Sequence, residues 1–259
     1  MHSDWIVPDW PAPPSVRAVC TTRRGGVSSP PYDSLNLGDH VGDDAHAVAR
    51  NRGVLAQAIA ARPVFLQQVH GSAVVRLAAA TADSTPADGC VSTEPGLACT
   101  IMVADCLPVL FTDTAGRAVA AAHAGWRGLA GSGGVGVLET VVRAFWDALP
   151  TPGAGAASKT IAWLGPCIGP QAFEVGDEVK RAFEAQQAQA ASMFKPLSPG
   201  RWLADLQGLA RLRLAALGVS QVYGNDGSAR WCSVSNPSLF FSHRRDHVGG
   251  RFAAAVWLA

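Results

Sequence analysis

The apolar run at residues 97–111 is the feature that most constrains the fold of this chain. The run is broken by Asp105 and Pro108 and is too short to span a bilayer. Its continuous rather than alternating apolar character is typical of a strand that is buried on both faces. We therefore predict a buried strand that is interrupted at Asp105 and Cys106, so that these polar side chains lie at a strand end.

Two histidines occupy similar positions at the ends of other apolar segments. Residues 64–69 and 73–77 are typical of strands that flank a turn at His70. Residues 118–122 form another apolar run, which ends at His123. Neighbouring strands can bring such end residues together.

The rest of the chain alternates between strand and helix patterns. Asp43 and Asp44 precede a helical pattern that runs to about residue 59, as carboxylates do when they cap a helix N-terminus. Residues 131–136 fit a dinucleotide-binding glycine pattern formally, but several residues separate them from the preceding strand, so a flexible lead-in to the next helix is the better interpretation. The other predicted elements are strands at 16–22, 161–164, 221–223 and 252–258, helices at 138–149, 176–189 and 203–217, and a flexible surface loop at 151–158.

Composition limits the class of protein and its partners. The 259 residues are 48% apolar, enough for a sizeable core, and show no repeat or clear linker, so we expect a single domain over residues 1–259. The 21 basic residues nearly balance the 20 acidic ones, which predicts neither a nucleic-acid nor a membrane partner. The six cysteines form no CxxC pair and the N-terminus has no basic leader, so we expect a reduced, cytoplasmic protein.

His70, Cys106 and His123 are the sharpest candidate site. Imidazole nitrogen and thiolate sulfur are ligands that zinc accepts readily, and three protein ligands plus water are typical of a catalytic zinc site. The long gaps between them carry no local geometric code, so spacing alone leaves ordinary core or surface positions open as well.

Further polar residues are candidates for substrate contacts. Arg127 has a planar fork suited to phosphate, Trp126 has a ring that can stack on a base, and Arg23 and Arg52 are additional phosphate candidates. Asp105 is expected either to hydrogen-bond a ligand histidine or to accept from nearby turn amides. The cluster at residues 240–246 is expected either to line a nucleoside pocket or to tie down the last strand through an Arg/Asp ion pair.

A series of motifs from residue 21 to residue 258 carries a family resemblance. In chain order these motifs are TTRRGGVSSPPYDSLNLGDHVGDD, NR, LQQVHG, ADGCVST, ADCLPVLF, AAHAGWRG, LGPCIGP, FEVGDEV, FFSHRRD and GRFAAAVWL. Together they resemble the zinc-dependent purine nucleoside phosphorylase family, which is also called the multi-copper polyphenol oxidoreductase, laccase-domain or peptidoglycan editing factor family.

The resemblance implies a fold, a metal site and a reaction. It implies an α+β fold, a layered α/β/β/α sandwich of mixed sheets flanked by helices, which is distantly related to cysteine-histidine hydrolases. It implies one catalytic Zn²⁺ bound by His70, Cys106 and His123. It implies phosphorolysis of adenosine, inosine and methylthioadenosine, with adenosine deamination as a second activity. The expected partners are purine nucleosides and phosphate, and the expected state is a monomer or homodimer.

The predicted site combines these residues. The expected catalytic residues are Cys106, His123, Asp105 and Arg127, and the expected substrate or phosphate contacts are Arg23, Arg52, Gln68 of the LQQVHG motif and Trp126. His243 stands where the family motif leads us to expect tyrosine, so it is left outside the predicted site. Residues 171–173 also lack the cysteine often found after GPCIGP.

Three alternative functions are compatible with the same residues. A copper phenol oxidase is disfavoured, and copper is not expected, because the chain has only seven histidines and no His-X-His pair. A metal-free amide hydrolase for peptidoglycan precursors would use Cys106 as nucleophile and His123 as base. A binding module with a structural zinc would require a fourth protein ligand.

Overall fold

Two main β-sheets and a small third sheet form the framework of the molecule. The structure, a computed structural model, describes residues 2–150 and 155–259. The strands in these residues are β1 (Val16–Cys20), β2 (Arg62–Phe65), β3 (Val74–Arg76), β4 (Gly89–Ser92), β5 (Leu97–Val103), β6 (Leu107–Asp113), β7 (Val119–Ala124), β8 (Thr160–Leu164), β9 (Glu174–Gly176), β10 (Phe194–Ser198), β11 (Arg201–Ala204), β12 (Gln221–Gly224) and β13 (Phe252–Leu258).

The sheets are mixed in direction. One has the strand order β1-β13-β5-β2 and the other has the order β12-β8-β6-β7-β4-β3. The pairs β2/β5, β3/β4 and β8/β12 are parallel and the other pairs in these two sheets are antiparallel. The third sheet, β10-β11-β9, is antiparallel.

Helices cover the sheets. They are α1 (Ala45–Ile59), α2 (Trp126–Ala130), α3 (Val137–Ala148), α4 (Ala156–Lys159), α5 (Asp177–Glu184), α6 (Leu206–Ala216) and α7 (His243–Asp246), with short 3₁₀ helices at Ala188–Met193 and Ala229–Trp231. None of the helices in residues 2–150 and 155–259 is long and apolar enough to cross a membrane.

Strand β7 shows why the apolar runs of the sequence do not alternate. Val119 and Ala121 pack in a cluster that draws on both main sheets, whereas Ala120 and Ala122 pack in a second cluster with α3 and α6. Because successive side chains point to opposite faces, a strand with both faces covered must be apolar throughout. The mixed α/β class predicted from the sequence is confirmed.

The interruption predicted in the run at residues 97–111 is also confirmed. Strand β5 ends at Val103 and β6 begins at Leu107, and between them Asp105 has a φ of 93°. A left-handed backbone at a residue other than glycine is uncommon, and it marks the tight turn that presents Cys106.

The N-terminus of α1 is capped as predicted. The side chain of Asp44 accepts a hydrogen bond of 2.8 Å from the amide of Ala47, which satisfies one of the free amides of the first turn. At α3, the glycine-rich segment serves as the expected helix lead-in, because Glu139 accepts from the amide of Gly136 at 2.8 Å.

Several element boundaries differ from the prediction. The helix predicted at 203–217 begins only at Leu206, because Leu203 and Ala204 lie in β11 and Asp205 caps the helix by accepting from the amide of Gly208 at 2.7 Å. The helix predicted at 176–189 ends at Glu184. Strand β4 was not predicted. Residues 151–154 of the predicted surface loop lie outside the described residues.

Candidate metal centre

His70, Cys106 and His123 come from three separate segments and meet at one place. His70 lies between β2 and β3, Cys106 directly precedes β6, and His123 lies near the end of β7. Their donor atoms all lie within 4.8 Å of one another, and the two imidazole rings are inclined at 67°. The predicted convergence of these three side chains is confirmed.

The donor set fits a zinc ion. Zinc lies about 2.0–2.1 Å from imidazole nitrogen and about 2.3 Å from thiolate sulfur, so donors around one tetrahedral ion are roughly 3.5 Å apart. The three donors here lie within 4.8 Å of one another and can share one ion when their side chains move closer together. Within residues 2–150 and 155–259, no fourth histidine, cysteine or carboxylate belongs to the cluster. Three protein ligands are typical of a catalytic zinc site rather than a structural one.

Asp88 is the residue that positions this cluster. Its Oδ1 lies 2.8 Å from Nδ1 of His123 and accepts from the amide of His70 at 2.9 Å. Its Oδ2 accepts from the amide of Gly71 at 2.7 Å and from that of Val69 at 3.2 Å. One buried carboxylate therefore orients the ring of one donor and the turn that carries another, and it leaves Nε2 of His123 for the centre.

Asp105 does not hydrogen-bond a ligand histidine. Its carboxylate accepts from the hydroxyl of Ser233 at 2.6 Å and from the amide of Arg244 at 2.7 Å. The turn at Asp105 directs the carboxylate toward the C-terminal segment, so its partners are distant in sequence and differ from both predicted ones, a ligand histidine and the amides of its own turn. The histidine contact belongs to Asp88, which the sequence analysis did not single out.

The electrostatics of the cluster favour an ionised thiol. Burial alone raises the pKa of Cys106, but the positive charge of His123 and hydrogen bonds from His123 and His70 lower that pKa to about 6. Burial alone lowers the pKa of His123, but the Cys106 thiolate and Asp88 raise that pKa to about 9. Since the thiolate is the metal ligand and the nucleophile, Cys106 is in its reactive form at neutral pH.

A cavity of about 460 Å³ opens above the cluster. This volume lies within the range of small-molecule sites. Its walls combine apolar side chains, including Met102, Ile168 and Phe173, with polar groups from several loops. A ligand of nucleoside size would therefore contact both an apolar wall and the donor atoms of His70, Cys106 and His123.

Three of the predicted substrate residues line this cavity. Trp126 and Arg127 lie on α2, where the Arg127 guanidinium stacks on the Trp126 ring at 4.5 Å. The Gln68 amide also lines the cavity, but it exchanges two hydrogen bonds with the backbone of Met102, at 2.8 and 2.9 Å. Gln68 therefore holds strand β5 in addition to forming part of the wall.

Arg23 and Arg52 are not among the cavity-lining residues. Arg23 pairs with Asp33 at 3.2 Å and stacks on Phe241. Arg52 pairs with Asp39 at 3.2 Å and donates from Nε to the carbonyl of Leu37 at 3.0 Å. Both guanidinium groups are neutralised while they hold loops in place, so the expectation that they bind phosphate finds no geometric support.

The motif at residues 240–246 lies partly on the wall of the cavity. His243 and Arg244 line the cavity, although His243 was left outside the predicted site. Arg245 pairs with Asp246 at 2.6 Å and donates to the carbonyl of Ser233 at 2.7 Å. One part of the motif therefore faces the cavity, while the Arg245–Asp246 pair lies within α7 and does not itself join the last strand to its neighbours.

Two further residues of the lining, His40 and Arg251, were not among the predicted contacts. Both lie in segments that carry the resemblance, within GDHVGDD and GRFAAAVWL. Their positions depend on contacts between the N-terminal and C-terminal segments, which spacing along the chain does not reveal.

Comparisons with known proteins identify the family to which the chain belongs. A family model described as "Multi-copper polyphenol oxidoreductase laccase" matches residues 17–259. The chain is 52% identical to a protein of Pseudomonas aeruginosa and 48% identical to YfiH of Escherichia coli, both named purine nucleoside phosphorylase, over 98% and 99% of each chain respectively. A crystal structure from Neisseria meningitidis superposes with a TM-score of 0.90 at 46% identity, covering 99% of both chains. The chain therefore belongs to the multi-copper polyphenol oxidoreductase laccase family, whose relatives here include the purine nucleoside phosphorylases of the YfiH type.

Proposed function

We propose that this chain is a zinc-dependent purine nucleoside phosphorylase that acts on adenosine, inosine and methylthioadenosine. The observation that carries the proposal is the cluster of His70, Cys106 and His123 at a cavity of nucleoside size. Two relatives that are 48–52% identical are named purine nucleoside phosphorylase, and these names supply the reaction class, phosphorolysis. Cytoplasmic location and a monomeric or homodimeric state are part of the same proposal.

The residues of the cluster would hold one Zn²⁺, which would supply a Lewis acid to the reaction. His70 and His123 would contribute imidazole nitrogen, and Cys106 would contribute its thiolate. Asp88 keeps the His123 ring in one orientation through its 2.8 Å contact with Nδ1. Such a partner fixes the tautomer of a ligand histidine and strengthens its donor nitrogen.

The chain's own residues would orient the two substrates for phosphorolysis. The bond between ribose C1′ and purine N9 breaks with its electron pair moving to the purine, and a phosphate oxygen forms the new bond to C1′. The proton of hydrogen phosphate ends on the purine, so the products are ribose 1-phosphate and the free base. Trp126 offers a ring face to the base, and the Arg127 guanidinium beside it can stabilise the charge that develops there.

Adenosine deamination is proposed as a second activity of the same cavity. Water adds at C6 of adenine and ammonia leaves, which yields inosine. This reaction needs no phosphate, so the two activities can be separated by omitting phosphate from the assay. Zinc centres with histidine and cysteine ligands are known to support such deamination.

One observation favours a second candidate, an amide hydrolase. The sulfur of Cys106 and the donor nitrogen of His123 lie within 4.8 Å of each other, and His123 in turn contacts Asp88 at 2.8 Å. A nucleophile, a base and an orienting carboxylate in this order are the arrangement of nucleophilic hydrolases. This scheme requires the metal-free cluster, whereas the phosphorylase scheme requires the loaded one.

Metal content and product analysis would test the proposal. Purified protein should contain about one zinc per chain, and adenosine with phosphate should give adenine and ribose 1-phosphate. Removing zinc with a chelator should abolish turnover, and re-addition of zinc should restore it. Activity on an amide substrate in the chelated protein, with no purine product in the loaded one, would reject the phosphorylase in favour of the hydrolase. Copper in place of zinc, with oxidation of a phenol, would reject both.

A further inference from the structure

Three arginines line the cavity and form no ion pair with a carboxylate. They are Arg127, Arg244 and Arg251. In residues 2–150 and 155–259, no carboxylate oxygen lies within 4.0 Å of their guanidinium nitrogens, whereas Arg23 and Arg52 outside the lining are both paired. Positive charge without a carboxylate partner therefore lines the space where a ligand would bind.

Arg251 differs from the other two by its burial and its rigidity. Its side chain is half-buried, whereas Arg127 and Arg244 are exposed to solvent. Its Nη1 donates to the carbonyls of Gly249 and Gly250, both at 3.0 Å. Its stem packs against Gly38, where an added Cβ would lie only 2.8 Å from Cγ of Arg251. The guanidinium is therefore held in one place before any ligand arrives.

The positive charge of Arg251 has no direct counter-ion. The anionic groups that act on it are Cys106 and Asp105, but Asp105 already accepts from Ser233 and from the amide of Arg244. Cys106 belongs to the donor cluster. Because a charge removed from water is costly unless it is paired, a half-buried cation that has only carbonyl partners and also faces the cavity is suited to an anionic ligand.

His40 is the polar neighbour of this guanidinium within the cavity. Its ring lines the same space, and its Nδ1 lies 3.5 Å from Asp39. Partial desolvation of the exposed ring and the charges of Arg251 and Arg52 lower the pKa of His40 against the opposing effect of Asp39, which favours the neutral ring. A neutral imidazole can share a hydrogen bond with an oxyanion or with its hydroxyl group.

We propose that Arg251, with His40 beside it, forms the phosphate-binding end of the cavity. The inference rests on the proposed phosphorylase function, which supplies hydrogen phosphate as the anion. Arg251 presents free N–H groups to the phosphate oxygens, and a planar guanidinium matches that geometry. Arg127, which is exposed and stacked on Trp126, is assigned to the nucleoside end instead.

Steady-state kinetics of Arg251→Gln and Arg251→Lys test the assignment in the zinc-loaded enzyme. A charge-assisted hydrogen bond contributes about 1.5–3 kcal/mol, so Arg251→Gln should raise the KM for phosphate by roughly 10- to 100-fold. The KM for the nucleoside should change by less than about twofold in the same variant. Arg251→Lys should be intermediate, because it keeps the charge but loses the fork.

The matched control is Arg201→Gln on β11. Arg201 is exposed, and its nearest carboxylate, Glu174, is 3.8 Å away. This variant should keep both KM values. A phosphate KM in Arg251→Gln that stays within about twofold of the wild-type value would overturn the assignment, and so would a large rise in Arg127→Gln without one in Arg251→Gln.

Chemical protection of the wild-type protein gives a readout that needs neither turnover nor a folded variant. Phenylglyoxal modifies accessible arginines, and mass spectrometry identifies the modified positions. Inorganic phosphate should slow modification of Arg251 and leave Arg201 unaffected. Equal rates at Arg251 with and without phosphate would reject the anion site. If the wild-type enzyme releases no purine while phosphate still protects Arg251, the phosphorylase function fails and the anion site stands.

Discussion

Asp88 connects the candidate metal ligands to the backbone around them. Its two carboxylate oxygens contact the ring of His123 and accept from the amides of three consecutive residues, Val69, His70 and Gly71. Asp88→Asn should weaken this arrangement, since an amide nitrogen in place of one oxygen cannot accept from these donors. We expect the affinity for zinc to fall by about 10- to 100-fold. Competition with a chromophoric chelator measures this change.

Asp113 provides the matched control for that substitution. It is also a buried carboxylate that accepts from backbone amides, at Ala115 and Arg117, but it lies at the turn between β6 and β7, away from the cluster. Asp113→Asn should lower the free energy of unfolding and leave zinc affinity unchanged. Equal losses of zinc affinity in the two variants would show that Asp88 acts only through general stability.

Zinc binding should release protons in a pH-dependent way. Since the pKa of Cys106 is lowered to about 6 and that of His123 is raised to about 9, the thiol is already ionised and the imidazole is still protonated between these values. Binding near pH 7.5 should therefore release about one proton, from His123, whereas more should be released below pH 6 and fewer above pH 9. Calorimetry in buffers of different ionisation enthalpy counts these protons. No release at pH 7.5 would contradict the charge state described for His123.

The three candidate metal ligands could be predicted from the sequence, but Asp88, which positions them, could not. His70, Cys106 and His123 stand out because polar donors end apolar runs and fall in recognisable motifs. Asp88 directly precedes the short strand β4 within ADGCVST, and nothing in its spacing reveals that it contacts a loop and a second strand. A buried aspartate before an apolar strand is the only local signal it offers.

At the scale of elements, α1 holds the loop that leads to the cavity. Asn51 on α1 is fully buried and donates to the carbonyls of Ser34 and Asn36, at 3.1 and 2.9 Å, and accepts from the amide of Val27 at 2.9 Å. Asn36 in turn accepts from the amide of Arg251 at 2.8 Å. Asn51→Ala should leave several buried groups unpaired, at about 1–3 kcal/mol each. We expect a lower free energy of unfolding and a higher KM for phosphate.

Asp44→Ala separates the effect of the loop from the effect of the helix. Losing this N-cap should lower the free energy of unfolding by about 0.5–2 kcal/mol through α1 alone. The KM for phosphate should stay at the wild-type value, because Asp44 bonds only the first turn of the helix. Urea denaturation and phosphate titration of both variants make the comparison. The same shift in KM for both would place the effect in α1 as a whole rather than in the Asn51 contacts.

The sequence predicts an element best where both of its faces have the same polarity. Strands β5, β6 and β7 are apolar on both faces, and this is visible in the sequence. The boundary between β11 and α6 was missed because residues 201–204 pair with β9 and β10, a contact between distant segments. Helical propensity over residues 203–217 is continuous across that boundary, so only the tertiary pairing decides where the helix begins.

At the scale of the whole molecule, zinc should stabilise the fold because its donors come from three segments that unfolding would separate. A ligand at a thousandfold excess over its Kd contributes about 4.1 kcal/mol to folding, which corresponds to a rise in Tm of roughly 8–16 °C for a chain of this size. Cys106→Ser should lose most of this zinc-dependent rise, because it removes the thiolate. Cys20→Ala, at a buried cysteine of β1 outside the cluster, should lower the starting Tm but keep the full rise. Calorimetric scans with and without a chelator measure both, and an unchanged rise in Cys106→Ser would mean that zinc stabilises the protein from some other place.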